Sequence, residues 1–257
     1  MTLAERLRAP DPAIRRAAIA ELAEQGGATP EDLAALAECL GAGQKALERP
    51  AAEAFAALAA RGVPVRDVLL GALASRLPRR RWGAAFALSL AGDPPAATLP
   101  VLLETLGADD GDLRWAAAGI VVRLRDRATL VESLRALAGS GNAAQRKMAL
   151  YCLRDLDART REVEQVVLRA LGDDDHDVRL AAVATLARLA SDRAAAAERL
   201  VHALERGDER LRRAAAAALG ILGERSAPVV AALRAAAASP DPSLRRAAEG
   251  ALRRLRG

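Results

Sequence analysis

Aromatic side chains are nearly missing, with two Trp, two Phe and one Tyr among 257 residues. Sheets draw on aromatic and β-branched side chains. Here Ala and Leu supply most of the 52% hydrophobic content, which favours closely packed helices. Cysteine is scarcer still: Cys39 and Cys152 are far apart and neither belongs to a C-x-x-C pair. That excludes a disulfide framework and leaves buried, reduced thiols as the expectation. No apolar run approaches the roughly 18 residues of a membrane span. The opening Met1-Thr2-Leu3-Ala4-Glu5-Arg6 is charged from its fifth residue, unlike a secretory signal. A cytoplasmic protein without membrane contact is expected.

Recognisable catalytic patterns are lacking too. The two histidines, His176 and His202, have no metal-ligand spacing to a Cys or to each other. There is no phosphate-cradling Gly-rich loop between strand and helix, no nucleophile elbow and no zinc-protease helix. The acidic turns Asp109-Asp110-Gly111-Asp112 and Asp173-Asp174-Asp175-His176-Asp177 lack the rest of a calcium loop and read as solvated caps. The chain is therefore expected to carry no catalytic residue, metal or cofactor, and not to be an enzyme.

Lysine is limited to Lys45 and Lys147, so 36 of the 38 basic residues are Arg, and the formal charge is +5. An excess of this sign attracts anionic partners.

What the sequence has in abundance is self-similarity. An Arg followed by Ala three residues later and an aliphatic residue seven later recurs as Arg15/Ala18/Leu22, Arg81/Ala84/Leu88, Arg114/Ala117/Val121, Arg146/Ala149/Leu153, Arg179/Ala182/Leu186, Arg212/Ala215/Leu219 and Arg245/Ala248/Leu252. Ala51/Ala54/Leu58 supplies an eighth unit without the Arg, and successive anchors then lie 36, 30, 33, 32, 33, 33 and 33 residues apart. That period accommodates a helix, a turn, a second helix and a return loop. Four residues before six of the anchors stands Asp11, Asp110, Asn142, Asp175, Asp208 or Asp241, suited to cap the second helix. Apolar segments such as 32–40, 65–77, 98–106, 162–171 and 194–204 form the first helices, and Gly or Pro clusters such as Gly26-Gly27, Gly92-Asp93-Pro94-Pro95 and Ser239-Pro240-Asp241-Pro242 separate the elements.

The segments 173–186, Asp-Asp-Asp-His-Asp-Val-Arg-Leu-Ala-Ala-Val-Ala-Thr-Leu, and 240–248, Pro-Asp-Pro-Ser-Leu-Arg-Arg-Ala-Ala, resemble the HEAT-like repeats also found in phycobilin lyase subunits. The resemblance covers nearly the whole chain. It implies an all-α, right-handed solenoid of about eight two-helix repeats, running as one domain over 1–257, with the second helices lining a concave surface. It also implies that the recurring Asp and Arg sit at the turn within each helix pair and are architectural.

With each anchor as position 0, positions −1, +3 and +7 share a face, as in Ile14/Ala18/Leu22 and Val178/Ala182/Leu186, and should be buried. Positions +1, +5 and +8 point away. Position +1 reads Arg16, Ala52, Trp82, Trp115, Lys147, Leu180, Arg213 and Arg246, and none of the three outward registers carries a carboxylate. Negative charge should then be confined to first helices and turns. Phe55 lies at +4, while Trp82 and Trp115 at +1 and Phe86 and Tyr151 at +5 place four of the five aromatics on the outward stripe. They are expected to adjoin as a binding hot spot.

The leading expectation is a monomeric protein-interaction scaffold for an acidic or amphipathic segment. Trp82, Phe86, Trp115 and Tyr151 would anchor the partner, flanked by Arg16, Lys147, Arg154, Arg213 and Arg246. The alternative is nucleic-acid binding, by simple phosphate contacts or as in the HEAT-like DNA glycosylases. Those enzymes need a carboxylate beside their aromatics, for which only Asp155 or Asp112 is placed.

Overall fold

The computed structural model describes residues 1–92 and 94–256; Asp93, inside the expected 92–95 turn, and Gly257 lie outside the described residues. Helices alternate with short turns throughout, in the order α1 (Leu3–Leu7), α2 (Pro12–Glu24), α3 (Pro30–Cys39), α4 (Lys45–Ala60), α5 (Arg66–Leu73), α6 (Pro78–Leu90), α7 (Thr98–Thr105), α8 (Gly111–Val121), α9 (Arg127–Ser140), α10 (Ala143–Asp155), α11 (Arg161–Ala170), α12 (His176–Leu189), α13 (Arg193–Arg206), α14 (Glu209–Leu222), α15 (Ala227–Ala237) and α16 (Pro242–Arg256). These sixteen helices make eight pairs, and no strand occurs among the described residues. The all-α repeat class expected from the sequence is the one observed.

Every anchor Arg is the fourth residue of its helix. Except at α6, where Leu77 offers no side-chain cap, the residue four before it caps that helix: Asp11 accepts from the Ala13 N–H, Asn142 forms a reciprocal capping box with Gln145, and Asp175 and Asp208 accept from Val178 and Leu211. Asp110 and Asp241 do the same for the N–H groups of Asp112 and Ser243. In the later repeats the Arg folds back to main-chain carbonyls of the turn that joins the two helices or, for Arg212, of the last turn of the first helix. Arg81 donates to Ser75 (2.9 Å), Arg146 to Gly141 (2.8 Å) and Arg212 to Leu204 (3.0 Å). Arg179 spans Asp173 and Asp174 (2.7 and 3.0 Å), and Arg245 spans Ser239 and Pro240 (2.9 and 3.2 Å). One cation in the first turn of the second helix thus ties down the turn that precedes it. Arg146 also holds Asp173 of the following repeat through two bonds of 2.7 and 2.8 Å, which keeps the Asp173 carboxyl below the usual carboxylate range.

The second repeat is read differently by the structure. Its helix α4 begins at Lys45, so the fourth residue is Glu48 rather than Ala51. Glu48 reverses the polarity of the device: its carboxylate accepts the turn N–H of Gly43 at 2.8 Å and the Arg79 guanidinium of the next repeat at 3.3 Å. Moving the anchor from 51 to 48 turns the irregular intervals of 36 and 30 into 33 and 33. The buried positions +3, +4 and +7 are then Ala51, Ala52 and Phe55, all at 0% exposure. The expectation that this repeat presents Ala52 and Ala56 outward is corrected accordingly; Arg49 and Glu53 take those places, joined by an ion pair of 2.9 Å. The outward registers therefore do include a carboxylate.

Elsewhere the +3 Ala is buried in every repeat. The −1 position is less uniform. Val178 is buried, but Ile14 is 38% exposed, because the five-residue α1 offers little with which to cover it.

By its internal contacts the chain forms two units, the first comprising Met1–Thr105 with Gly119–Leu124, the second Leu106–Ala118 with the residues from Arg125 onward. In the first, α2, α4 and α6 pack in succession, with α1, α3 and α5 alongside. In the second, α10, α12, α14 and α16 pack in succession; α9 packs on α11 and α13 on α15. Close approach relies on small residues: a Cβ on Gly220 of α14 would lie 2.7 Å from the Ala251 Cα of α16.

Candidate functional site

The nine residues singled out from the sequence divide between the units. Arg16, Trp82 and Phe86 belong to the first, and Trp115, Lys147, Tyr151, Arg154, Arg213 and Arg246 to the second. The four rings form two stacked pairs, Trp82 on Phe86 and Trp115 on Tyr151, each with centroids 5.6 Å apart and nearly parallel planes.

The two pairs differ in access. Trp82, five residues into α6, is only 9% exposed and is counted with the core, so its expected role as an outward anchor is corrected. Trp115 is 56% exposed, the most open large aromatic among the described residues. It stacks on Tyr151 of α10, and the Arg154 guanidinium lies 4.8 Å from the Tyr151 centroid on the same helix. The Tyr151 ring thus meets an indole from α8 and a guanidinium from its own helix.

The flanking cations are mostly engaged. Lys147 donates to Asp177 of α12 at 3.0 Å and Arg154 to Asp155 at 2.9 Å, while Arg213 lies 3.8 Å from Asp241. Asp177 also meets Arg210 at 3.7 Å, and its hydrogen bond from Lys147 holds its carboxyl below the usual range. Asp155 and Asp177 both lie within second helices, which corrects the expectation that acidic residues keep to first helices and turns. Asp177 is there for reach, since Lys147 at +1 of one repeat extends to the first turn of the next, and Asp155 pairs with the adjacent Arg154 at the end of its own helix. Arg16 and Arg246 are exposed and have no carboxylate partner among the described residues. Ala187 and Gly220, at +8 after Arg179 and Arg212 and hence on an outward register, are buried instead, Gly220 against Ala251 of the next repeat.

On the other side of the second unit, a groove of about 530 Å³ opens between the C-terminal halves of α11 and α13. Arg169, Arg199, His202 and Arg206 line it above Leu168, Leu171, Ala203 and Leu211. Of these, only His202 is considered from the sequence, as a candidate metal ligand, and none of the arginines is singled out. A signal was present: 199, 202, 203 and 206 share one helical stripe. Among the described residues no cluster of His, Cys, Asp and Glu suits a metal, and no helix is long and apolar enough to cross a membrane. Cys39 and Cys152 are both buried and free, and burial pushes their thiols up to about 11 and about 12.

Comparison with known proteins bears on fold and family. The structure is similar to the crystal structure of an engineered protein, at 21% identity and a TM-score of 0.51, over 99% of this chain and 78% of that one. It is also similar to human deoxyhypusine hydroxylase in complex with glycerol, at 21% identity and a TM-score of 0.41, over 99% of this chain and 94% of that one. No curated protein sequence matches. A family model for HEAT repeats matches residues 99–187 and 164–253, well over half of the chain and the stretch in which the Asp cap, the anchor Arg and the +3 Ala recur without interruption. With the capped, arginine-tethered helix pairs of the second unit, this shows that the chain belongs to the HEAT-repeat family.

Proposed function

We propose that the second-helix face of the second unit docks an amphipathic segment of another protein, with the Trp115–Tyr151–Arg154 cluster as its anchor. One observation carries this reading: an indole left 56% exposed while already fixed against a second ring. An aromatic held in place loses little rotamer freedom on binding, and Trp, Tyr and Arg are the residues enriched where interfaces concentrate their energy. Arg246, without a carboxylate partner among the described residues, adds positive charge further along the same row of helices.

In this reading the protein is a monomeric, cytoplasmic scaffold with no catalytic role of its own. The ion pairing favours a peptide over nucleic acid. A phosphate backbone is gripped by unpaired cations, whereas Lys147, Arg154 and Arg213 each face a carboxylate. Asp155, one of the two candidates for the carboxylate a glycosylase-type site needs, is engaged with Arg154.

The test is photo-crosslinking in the native cell from position 147, followed by binding measurements with a peptide from the captured protein. Trp115→Ala should weaken that peptide by about tenfold or more without lowering the melting temperature. Trp82→Ala should lower the melting temperature instead. Equal binding by wild type and Trp115→Ala, or capture of nucleic acid in place of protein, would overturn the reading.

A further inference from the structure

The basic residues of this chain are not distributed as their pairing on the second-helix face suggests. On the opposite side of the second unit, Arg169, Arg199 and Arg206 converge with His202 on the groove between α11 and α13, and no carboxylate lines it. None of the three guanidiniums has an ion-pair or hydrogen-bond partner among the described residues, and all three are exposed. Arg169 and Arg206 stand in the last turns of their helices, where a cation complements the helix dipole. Arg199 is seven residues before the end of α13 and has no such reason to be there. The stripe Arg199, His202, Ala203, Arg206 follows the i, i+3, i+4, i+7 spacing of one helix face, so two guanidiniums and an imidazole share one strip with no carboxylate among them.

The floor is of the other character. Leu168 is 37% exposed beside the groove and Leu211 is 8% exposed beneath it, with Leu171 and Ala203 between. The opening arises because α11 packs on α9 and α13 on α15, while α11 and α13 do not pack closely on each other. Its volume of about 530 Å³ is that of a ligand-sized cleft.

We infer that this groove is a second binding site, for an acidic peptide segment that carries an aliphatic side chain between its carboxylates. The guanidiniums offer planar, two-point donors matched to carboxylates, and the leucines offer apolar area to the side chain between them. A bare polyanion, including a phosphate backbone, satisfies the rim and leaves the floor wet. The groove shares no residue with the aromatic face: its basic residues all lie on the first helices α11 and α13.

The probes are a short fluorescein-labelled peptide in which Glu residues flank leucines, and polyglutamate of equal length, measured by anisotropy on the full chain. Saturable binding of the Glu–Leu peptide is expected, about tenfold tighter than polyglutamate. The double variant Arg199→Glu/Arg206→Gln should weaken it by about tenfold or more, with at most a small drop in melting temperature from removing the Arg206 charge at the end of α13. Leu168→Ala should weaken the Glu–Leu peptide several-fold and leave polyglutamate unaffected, a result that charge alone does not produce. Trp115→Ala should change neither. The inference is overturned if no saturable binding occurs, if polyglutamate or duplex DNA binds as tightly as the Glu–Leu peptide, or if binding is lost in Trp115→Ala and kept in the groove variants.

Discussion

The fourth residue of each second helix carries the electrostatics of the turn before it, and its sign follows what that turn presents. Where the turn offers carbonyls, as at Gly141, Asp173 and Ser239, the residue is Arg. Where it offers an N–H, as at Gly43 with its φ of +75°, the residue is Glu48. Restoring the family's common residue there should therefore do harm. Glu48→Arg removes the acceptor for Gly43 and sets a second cation against Arg79 at a site only 12% exposed. The expected cost is about 1–3 kcal/mol, read as a lower urea midpoint at unchanged slope. A variant as stable as the wild type would mean that the turn can re-form around a cation and that sign does not matter.

At the scale of the helix, most of the architecture was legible because its determinants are local. A cap, an Arg and an Ala within eight residues set where each second helix starts and which side it buries. The second repeat was misplaced by three residues because α4 is rich in Ala. On a helix, residues three and four apart share a face, so Ala51/Ala54/Leu58 satisfied the pattern as well as Glu48/Ala51/Phe55 did. The burial of Trp82, the pairing of Lys147 with Asp177 and the groove beside α13 were not legible, because each depends on how closely neighbouring helices approach. That approach is testable through two glycines of opposite expectation. A Cβ on Gly71, in the exposed part of α5, meets nothing within 4 Å, so Gly71→Ala should stabilise by up to about 1 kcal/mol through helix propensity. The same change at Gly220 drives a methyl to within 2.7 Å of the Ala251 backbone and should destabilise by about 1–3 kcal/mol. Equal shifts of the two melting temperatures would mean that α14 and α16 can separate freely.

At the scale of the whole chain, stability in a repeat array is a sum of local terms and nearest-neighbour contacts, so damage should stay close to where it is done. The two cysteines report this without added probes. Cys39 lies in α3 of the first unit, where its thiol donates to the Leu7 carbonyl at 3.4 Å, and Cys152 lies in α10 of the second. Only the thiolate reacts, and burial pushes both thiols well above neutral pH, to about 11 and about 12. Neither should label with a maleimide in the native protein; each becomes reactive when its own unit opens. Along a urea gradient, Gly220→Ala should move the labelling midpoint of Cys152, which shares the α10, α12, α14 succession with the altered helix, further than that of Cys39. Midpoints that shift together by the same amount would show that the chain unfolds as one cooperative block, and the nearest-neighbour account of its stability would then be wrong.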